Sequence, residues 1–408
     1  MRTIVGLDIG STKVCCLVGE VMEDRRLRII GVGQAASKGI KTGVVVDVEQ
    51  VSEAIAVAVE RAEKVSGYQI ESAYVSVTGE HVAGLNSRGV VAISRGDQEI
   101  EPDDVGRALE NARAIAIPHD REIVHVIPRG FMVDGENGVR DPVGMHGYRL
   151  EVESHIITGA STSLRNLEKC LERAGIGVTD FVLHPLASGM AVLRESERET
   201  GVILVDIGGG TTDIAVFING SVWHTAVLKL GGNHVTNDVV ACLRVPFTVA
   251  EDLKTRYGHA QPSEVPGEQK LEAATFGDDV EMSISQRQLA AVIGARVEEV
   301  LDLTLREVKR TGYDTLLPAG VVLCGGTAQL AGIRALGQRT LNMPVRVGAP
   351  HDLEGLVDVL SSPAYATSVG LLMWGMENAG GPRKRGPAGG IGLWGRLRGW
   401  FTGAVLPD

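Results

Sequence analysis

The sequence has few cysteines and no hydrophobic run that is long enough to cross a membrane. Its 5 cysteines include no pair with Cys-x-x-Cys spacing, which favours a reduced, cytoplasmic protein. A transmembrane helix needs roughly 20 consecutive apolar residues, and no uninterrupted run of that length occurs. The first residues lead into a predicted strand rather than a signal peptide. We therefore expect any contact with a membrane to be peripheral.

Basic residues are also not in excess, since the chain has 40 Lys and Arg against 51 Asp and Glu. The formal net charge is −11, which argues against nucleic-acid binding by the molecule as a whole. Hydrophobic residues make up 44% and charged residues 22% of the 408 positions, which is the balance of a soluble globular protein. A chain of this length is too long for one ordinary core, so two or more domains are expected.

The most informative stretch that is present is Val-Asp-Ile-Gly-Gly-Gly-Thr-Thr-Asp, at residues 205–213. Apolar runs of strand length lie on both sides of it. Consecutive glycines allow a sharp turn whose N–H groups point outward with no side chain in the way. Such a hairpin can hold a phosphate, with the Asp206 carboxylate before the glycines and the hydroxyls of Thr211 and Thr212 after them. The alternative is a plain hairpin.

A second copy of this pattern lies near the start of the chain. Residues 3–18 also contain an apolar strand, an Asp-Ile-Gly that begins at Asp8, the hydroxyls of Ser11 and Thr12, and another apolar strand. Two copies that include both flanking strands predict an internal duplication, with two similar lobes that each present a hairpin. Two hairpins that face each other across a cleft could clamp a polyphosphate from both sides. The alternative is two unrelated hairpins that are alike by chance.

The segments around these hairpins have the strand and helix patterns of α/β lobes. Further strands are predicted at residues 31–33, 43–46, 74–77 and 321–324, and helices at residues 51–64, 163–174, 185–193, 289–308, from about 330, and 366–373. Ser285 and Gln288 resemble a capping box at the start of the long helix. Gly231 and Gly232 precede a helix whose N-terminus could meet an anion. Residues 261–277 are polar and predict a loop or a short hairpin.

Residues 84–159 differ in character and predict a compact inserted α+β module. A helix is expected to open at Pro102 and to carry an apolar face that extends to Ile115. Strands are expected at residues 89–93, 122–127 and 151–158. Pro128 is expected to end the second of these strands, and loop residues follow at 134–142. The histidines of this block are widely spaced, which favours structural roles over a metal site; they are His125, His146 and His155.

The C-terminal residues combine a basic, Gly/Pro-rich linker at residues 377–390 with an amphipathic pattern at residues 391–403. The apolar face and the basic residues beside it are Leu393, Trp394, Leu397, Trp400 and Phe401, with Arg396 and Arg398. This profile is typical of an interfacial membrane helix. Each buried apolar side chain contributes roughly 1.5–3 kcal/mol, and each basic residue near an anionic leaflet adds about 1 kcal/mol. The alternative is a helix that folds back onto the body of the protein.

The two hairpins, the Gly-Gly turn and the intervening helix resemble the actin-like ATPase superfamily. Within it, nearly the whole chain resembles the FtsA family of bacterial cell-division proteins, on the motifs at residues 6–13, 86–89, 142–151, 206–213 and 231–232 and on the amphipathic tail. The resemblance implies a two-lobed α/β actin-like fold with duplicated ribonuclease-H-like lobes, an inserted small α+β subdomain and a C-terminal amphipathic helix. The implied divisions are a first lobe at 1–83 and 160–194, the insert at 84–159, a second lobe at 195–233 and 301–376, a small subdomain at 234–300, the linker at 377–390 and a membrane-targeting helix at 391–403.

The same resemblance implies an ATP·Mg²⁺ site between the lobes. Asp8 and Asp206 would orient the hydrated Mg²⁺, since carboxylates can hold this ion through water. The residues implied around the phosphates are Gly10, Ser11, Thr12, Lys13, Gly208, Gly209, Gly210, Thr211 and Thr212. Those implied against phosphate, ribose or base are Gly231, Gly232, Gly325, Gly326 and Thr327. Glu251 and Lys254 would approach the nucleoside, with an ordinary solvated helix face as the alternative.

One position departs from the pattern of the chaperones and filament-forming relatives. In those proteins the residue before the Pro or Ala of the interlobe helix is Glu or Gln, which orients the attacking water, whereas here it is His184. An imidazole can act as a general base, and a structural role is the alternative. The departure implies slow hydrolysis at most, with nucleotide acting mainly as a conformational or polymerisation switch.

The resemblance also implies partners. FtsA-like proteins bind the C-terminal peptide of the tubulin-like protein FtsZ through the small subdomain, where Arg287, Arg296 and Glu299 are the candidates. A basic residue that meets an acidic peptide is electrostatically favourable, and a solvated helix face is the alternative. Self-association into filaments, anionic membrane lipid, further division proteins and a place on the cytoplasmic side of the membrane at the division site are also implied. Two competing classes are a pilus-assembly adaptor of the PilM type, whose members generally lack the tail, and an actin-like sugar kinase.

Overall fold

The computed structural model describes residues 2–24, 26–94, 96–266, 269–276 and 281–378. The strands are β1 Arg2–Ile9, β2 Lys13–Val21, β3 Leu27–Ala36, β4 Ile40–Lys41, β5 Val44–Val45, β6 Ser72–Val77, β7 Ala83–Ala92, β8 Arg121–Val133, β9 Glu136–Val139, β10 Arg149–Ala160, β11 Gly177–Leu183, β12 Val202–Ile207, β13 Thr212–Ile218, β14 Ser221–Leu228, β15 Lys270–Ala274, β16 Glu281–Ser285, β17 Val321–Cys324, β18 Val345–Val347 and β19 Leu353–Gly355. The helices are α1 Val48–Ser66, α2 Pro102–Arg113, α3 Ser161–Arg173, α4 His184–Val192, α5 Glu195–Thr200, α6 Gly232–Leu243, α7 Phe247–Tyr257, α8 Gln286–Thr311, α9 Ile333–Leu341 and α10 Ala366–Asn378.

The first sheet has the strand order β11-β6-β1-β2-β3-β19. Strands β1, β2 and β3 form an antiparallel meander, and β6 and β11 continue the sheet in parallel from β1. The centre of the sheet is buried on both faces, which explains why β1 and β2 contain continuous apolar runs. Helix α1 packs on one face and α10 packs on the other.

The second sheet repeats this arrangement. Its order is β14-β13-β12-β17-β18, with an antiparallel meander in β12, β13 and β14 and parallel strands β17 and β18. Helices α6, α7, α8 and α9 supply its apolar core. The predicted duplication into two similar lobes is therefore confirmed, because both the hairpins and the strand orders recur.

The inserted module is a separate four-stranded sheet with the order β7-β10-β8-β9. Helix α2 covers one face, and together they form their own apolar core. The module also lies against β14, the outermost strand of the second sheet. Ser221 Oγ donates to the carbonyl oxygen of Pro128 at 2.6 Å, and a ring nitrogen of His155 lies 2.9 Å from Thr225 Oγ1.

Three local predictions for the module were wrong. Pro128 does not end a strand: β8 runs through it to Val133, because the register against β10 shifts there and a ladder irregularity accommodates the missing N–H. The expected loop after residue 133 contains β9, which pairs with the end of β8. Ile115 lies beyond the end of α2 and is 37% exposed, so it does not belong to the buried face.

Two helix starts also differ from expectation. Helix α8 begins after Ser285 as predicted, but the Ser285 side chain makes no capping hydrogen bond. After β17 the chain forms a short 3-10 turn, Gly326–Gln329, and the helix begins only at Ile333. Strand β15 lies within the polar range 261–277, but its antiparallel partner β16 lies beyond that range.

The C-terminal part of the described chain returns to the first lobe. Strand β19 pairs with β3, and the buried side chains of α10 join the core of the first sheet. This differs from the expected assignment of residues 301–376 to the second lobe, because β19 and the apolar faces of α10 find their partners in the first sheet. Helix α10 extends to Asn378, so the first two residues of the predicted linker are helical. In the described ranges, no helix is long and apolar enough to span a bilayer, and the amphipathic tail lies outside those ranges.

Candidate functional site

The candidate site is built on two equivalent hairpins, one from each of the two similar sheets. In the first, the Gly10 amide donates to the Lys13 carbonyl at 3.0 Å, and in the second, the Gly208 amide donates to the Thr211 carbonyl at 2.9 Å. The strand registers match as well, since Asp8 pairs with Cys15 and Asp206 pairs with Asp213. The two turns therefore have the same hydrogen-bonded closure, and each follows an aspartate near the end of a buried strand.

The tips of the two hairpins lie directly against each other. A Cβ atom added at Gly209 would overlap the side chain of Thr12, and one added at Gly210 would overlap Ser11 Oγ. Glycine is therefore required at the tip of the second hairpin for this close approach. The sequence pattern predicted two facing hairpins, and the structure brings them together.

The two aspartates are buried and are held by hydroxyl groups. Asp8 accepts hydrogen bonds from Ser76 Oγ and Ser368 Oγ, each at 2.9 Å. Asp206 accepts one from Thr367 Oγ1 at 3.0 Å. Burial raises the pKa of the Asp206 carboxyl, while the nearby His184 and the hydrogen bond from Thr367 oppose this shift. Both carboxylates are thus oriented by neutral donors rather than neutralised by a lysine or arginine.

His184 lies between the lobes at the first turn of α4. Pro185 occupies the adjacent helix position, where the missing N–H costs nothing. Nε2 of His184 is 3.4 Å from Asp8 Oδ1 and has no hydrogen-bond partner among the described residues. The prediction of a general base at this position remains a prediction, but the imidazole does lie beside the aspartates.

Asp213 is a buried acid to which the sequence reasoning gave no role. It accepts hydrogen bonds from Thr78 Oγ1 and from Thr211 Oγ1, the second at 3.0 Å. Burial raises its pKa to about 6, opposed first by the nearby His184. A comparison of the two repeats could have found it, because its counterpart in the first hairpin is Cys15 and the copies differ chemically there.

The side chain of Lys13 is directed toward the segment before α10. Its Nζ donates to the carbonyl oxygen of Ala364 at 2.7 Å and lies 3.4 Å from the centroid of the Tyr365 ring, a cation–π contact. Burial lowers the pKa of the Lys13 ammonium. The first hairpin is therefore tied to residues that follow the second sheet.

The Gly-Gly turn supports the second hairpin from behind. The amides of Gly232 and Asn233 donate to the carbonyls of Gly208 and Gly209, each at 2.8 Å. The Gly231 amide donates to Nδ1 of His234 at 3.2 Å. The amides of Gly232 and Asn233 therefore hold the second hairpin, and the Gly231 amide is satisfied within α6, so none of the three faces outward toward an anion.

The residues expected near a nucleoside form one polar cluster beside this turn. Lys254 Nζ donates to Glu251 Oε2 at 2.7 Å, to Thr236 Oγ1 at 2.9 Å and to the Gly232 carbonyl at 3.2 Å. On the other side, Thr327 Oγ1 donates to the Gly208 carbonyl at 3.3 Å. Glu251 and Lys254 are thus connected to the hairpin and are not simply part of a solvated helix face.

The remaining glycine turn lies next to the segment that precedes α10. The Gly325 amide donates to the Pro363 carbonyl at 3.0 Å, and the carbonyl of Gly326 accepts a bond from Gln329 Nε2 at 3.3 Å. The structure therefore gathers the hairpins, the polar cluster and this turn around the ends of β1, β12 and β17.

The candidate partner residues lie elsewhere, on α8. Arg296 makes a two-pronged ion pair with Asp238, with its Nη2 at 3.0 Å from Oδ1, and it also pairs with Glu299. Arg287 Nη2 donates to the Val265 carbonyl at 3.4 Å. The charge of Arg296 is thus largely matched within the chain, and the predicted roles of these three residues remain predictions.

The donor set fits a nucleotide with a hydrated cation. Within the described ranges, no group of three or more His, Cys, Asp or Glu side chains is arranged to hold a metal ion. The two hydroxyl-bonded aspartates are instead suited to ordering the water shell of a cation, because Mg²⁺ keeps several of its waters when it binds with phosphates. The buried, unpartnered Nε2 of His184 adds a polar group that a bound water or phosphate oxygen could satisfy.

Comparison with protein families gives two matches. A family model described as "Cell division protein FtsA" matches residues 203–370, and one described as "SHS2 domain inserted in FTSA" matches residues 79–158. The second match coincides closely with the inserted sheet.

Curated relatives are similar over almost the whole chain. The "Cell division protein FtsA" of Pseudomonas aeruginosa is 44% identical over 376 residues, which cover 92% of this chain and 90% of that protein. The protein of the same description from Bacillus subtilis is 42% identical over 375 residues, covering 92% and 84%. That from Escherichia coli strain K12 is 37% identical over 411 residues, covering 98% and 97%.

Solved structures are similar in fold. A chain of the "PilM-PilN type IV pilus biogenesis complex" aligns with a TM-score of 0.66 at 15% identity, covering 91% of this chain and 98% of that chain. "MreB 5 of Spiroplasma citri bound to AMPPNP" aligns with a TM-score of 0.54 at 13% identity, covering 92% and 96%. At these identities the likeness concerns the actin-like fold alone.

Proposed function

The chain belongs to the FtsA family of cell-division proteins, and on this premise we propose that it is an ATP-binding, actin-like division protein that polymerises on the inner face of the cytoplasmic membrane and tethers FtsZ filaments there. The observation that carries the nucleotide part is the pair of equivalent hairpins, each preceded by a buried aspartate and pressed tip to tip. A sugar kinase or a pilus-assembly adaptor is not favoured, because the full-length relatives at 37–44% identity are division proteins.

Different residues would hold different parts of the nucleotide. Backbone amides of the two hairpins, at residues 10–13 and 209–212, would contact the phosphates. Asp8 and Asp206 order the water shell of Mg²⁺, which when bound neutralises phosphate charge. The cluster of Glu251 and Lys254 would face the nucleoside, and the bond from Lys254 to the Gly232 carbonyl, beside the second hairpin, supports this role.

His184 can orient a water molecule near the aspartates or accept a proton from it. Its Nε2 is 3.4 Å from Asp8 and has no hydrogen-bond partner in the described part of the chain, and general-base catalysis contributes typically 10²–10⁴-fold. We expect slow hydrolysis, with the nucleotide acting mainly as a conformational or polymerisation switch. Equal turnover by the unaltered chain and by His184→Ala would show that His184 is not the base.

The membrane part of the proposal rests on the sequence of residues 391–403. Its five apolar side chains on one face and its flanking arginines favour insertion at an anionic surface. FtsZ would bind on α8 at Arg287, Arg296 and Glu299, where the exposed Arg287 offers positive charge to an acidic peptide.

The test is co-sedimentation with vesicles of mixed anionic and zwitterionic lipid, with purified FtsZ present. We expect the full chain to carry FtsZ to the vesicles and a chain that ends at Gly390 to leave FtsZ in the supernatant. Binding of a fluorescent ATP analogue in solution should be the same for both chains, since all hairpin residues are retained. Equal sedimentation of the two chains would refute the membrane part, and no binding of the analogue by either chain would refute the nucleotide part.

A further inference from the structure

Two consecutive residues of α10 each hold one of the two equivalent aspartates. Thr367 Oγ1 donates to Asp206 Oδ2 at 3.0 Å, and Ser368 Oγ donates to Asp8 Oδ2 at 2.9 Å. The two hydroxyl-bearing residues are 6% and 0% exposed. One turn of one helix therefore connects carboxylates that belong to different sheets.

The helical geometry explains how neighbouring residues can reach different strands. Successive side chains on a helix point about 100° apart, so residues i and i+1 do not share a face. Thr367 turns toward the end of β12, and Ser368 turns toward the end of β1. The distance between their two backbone positions is fixed by the helix, and it constrains the separation of the two aspartates.

The helix itself is held firmly where it carries these hydroxyls. Val369, Leu371 and Leu372 are fully buried in the core of the first sheet. One turn after Ala366, Gly370 packs directly onto the backbone of Ala187 in α4. A helix fixed in this way cannot shift its first turn without disturbing the core, so the positions of the two hydroxyls are fixed as well.

The carboxylates keep acceptor capacity after these bonds. An ionised carboxylate has about four lone-pair sites; Thr367 occupies one on Asp206, and Ser368 and Ser76 occupy two on Asp8. The hydroxyl bonds restrict rotation of each carboxylate, while its other lone pairs are still able to accept hydrogen bonds from cation-bound water. An oriented acceptor loses less freedom on binding than one that must be ordered.

We propose that Thr367 and Ser368 are positioning residues that fix the two aspartates at the orientation and separation required for a hydrated divalent cation at the hairpins. This inference rests on the proposed nucleotide function. It assigns the first turn of α10 to the site, although its sequence carries no recognised motif.

The experiment uses the full chain and a fluorescent ATP analogue, with affinity measured across a Mg²⁺ titration and in EDTA. Thr367→Val removes the hydroxyl at nearly constant shape, and Thr367→Ser retains it; Ser368→Ala and Ser368→Thr form the second pair. Thr304→Val is the matched control, because Thr304 is also buried and its hydroxyl donates to the Val300 carbonyl within α8. Thermal unfolding is recorded for each variant.

We expect Thr367→Val to raise the Mg²⁺ concentration for half-maximal effect roughly tenfold, since a hydrogen bond to a charged group is lost. Its affinity in EDTA should remain that of the unaltered chain, and Thr367→Ser should restore the Mg²⁺ response. Thr304→Val should leave the Mg²⁺ response unchanged whatever it does to the unfolding temperature.

Two results would overturn the inference while leaving the proposed function in place. One is an unchanged Mg²⁺ response in both Thr367→Val and Ser368→Ala. The other is an equal loss of affinity in Mg²⁺ and in EDTA, which would indicate a general structural role. If the unaltered chain binds no nucleotide under any condition, the proposed function fails and the inference fails with it.

Discussion

The close crossing of α4 and α10 predicts a large effect for a small substitution, Gly370→Ala. A Cβ atom at this position would overlap the carbonyl oxygen of Ala187, far inside the 3.0 Å that real Cβ atoms keep from their neighbours. The atom it meets is helix backbone, which cannot rotate away as the end of a side chain can. The two helices therefore have to move apart.

The magnitude follows from two opposing effects. Overpacking by one methyl group costs typically 1–3 kcal/mol, and an overlap with backbone is expected at about 3 kcal/mol. Replacing glycine by alanine within a helix returns about 1 kcal/mol. We expect Gly370→Ala to lower the free energy of unfolding by about 2 kcal/mol.

The assay is chemical denaturation of the full chain, followed by far-ultraviolet circular dichroism. Gly337→Ala is the matched control, because Gly337 also lies inside a helix, α9, and the nearest atoms to an added Cβ are side-chain atoms of Val345 and Leu323, at 3.3 Å or more. We expect Gly337→Ala to be neutral or stabilising. Equal stability of the two variants would refute the argument that the backbone crossing is tightly packed.

Three further predictions concern other parts of the molecule. Burial raises the pKa of Asp213 from 3.8 to about 6, so its carboxyl should lower the free energy of unfolding by up to about 3 kcal/mol as the pH rises from about 4 to about 6. Asp213→Asn should remove this decline, and an unchanged slope in pH-dependent denaturation would contradict the prediction. Ser221→Ala should increase amide hydrogen exchange in the insert, since the buried Pro128 carbonyl loses its donor at a cost of about 1–3 kcal/mol, and unchanged exchange in β8 would argue against the contact. Arg296→Ala should destabilise the fold by no more than about 1 kcal/mol but weaken binding of an acidic FtsZ C-terminal peptide in a fluorescence-anisotropy titration, and an unchanged affinity would remove Arg296 from the partner site.

Local sequence was sufficient for the parts of the site that lie in one short segment. The Asp-Ile-Gly motifs at Asp8 and Asp206 include their strands, their turns and their hydroxyls, so their hairpins and their duplication could be recognised without long-range contacts. The polar cluster of Glu251 and Lys254 was found only through the family resemblance, because nothing in the spacing of two helical residues indicates a neighbouring glycine turn.

The sequence patterns could not predict contacts between residues that lie far apart in the chain. The hydroxyls of Thr367 and Ser368 lie at the start of an apolar helix, 161 and 360 positions from the aspartates that they bond. Strand β19 has only three residues, and its pairing with β3 depends on the returning path of the chain. The continuation of β8 through Pro128 depends on a register shift that only the partner strand reveals.

The position of the insert against β14 has a consequence for how copies of this chain can meet. The outermost strand of a sheet presents unpaired N–H and C=O groups to which a foreign strand can add. Here the insert lies along β14, with hydrogen bonds at Ser221 and Thr225. A strand from another molecule that added to β14 would therefore compete for space with the insert at Ser221 and Thr225.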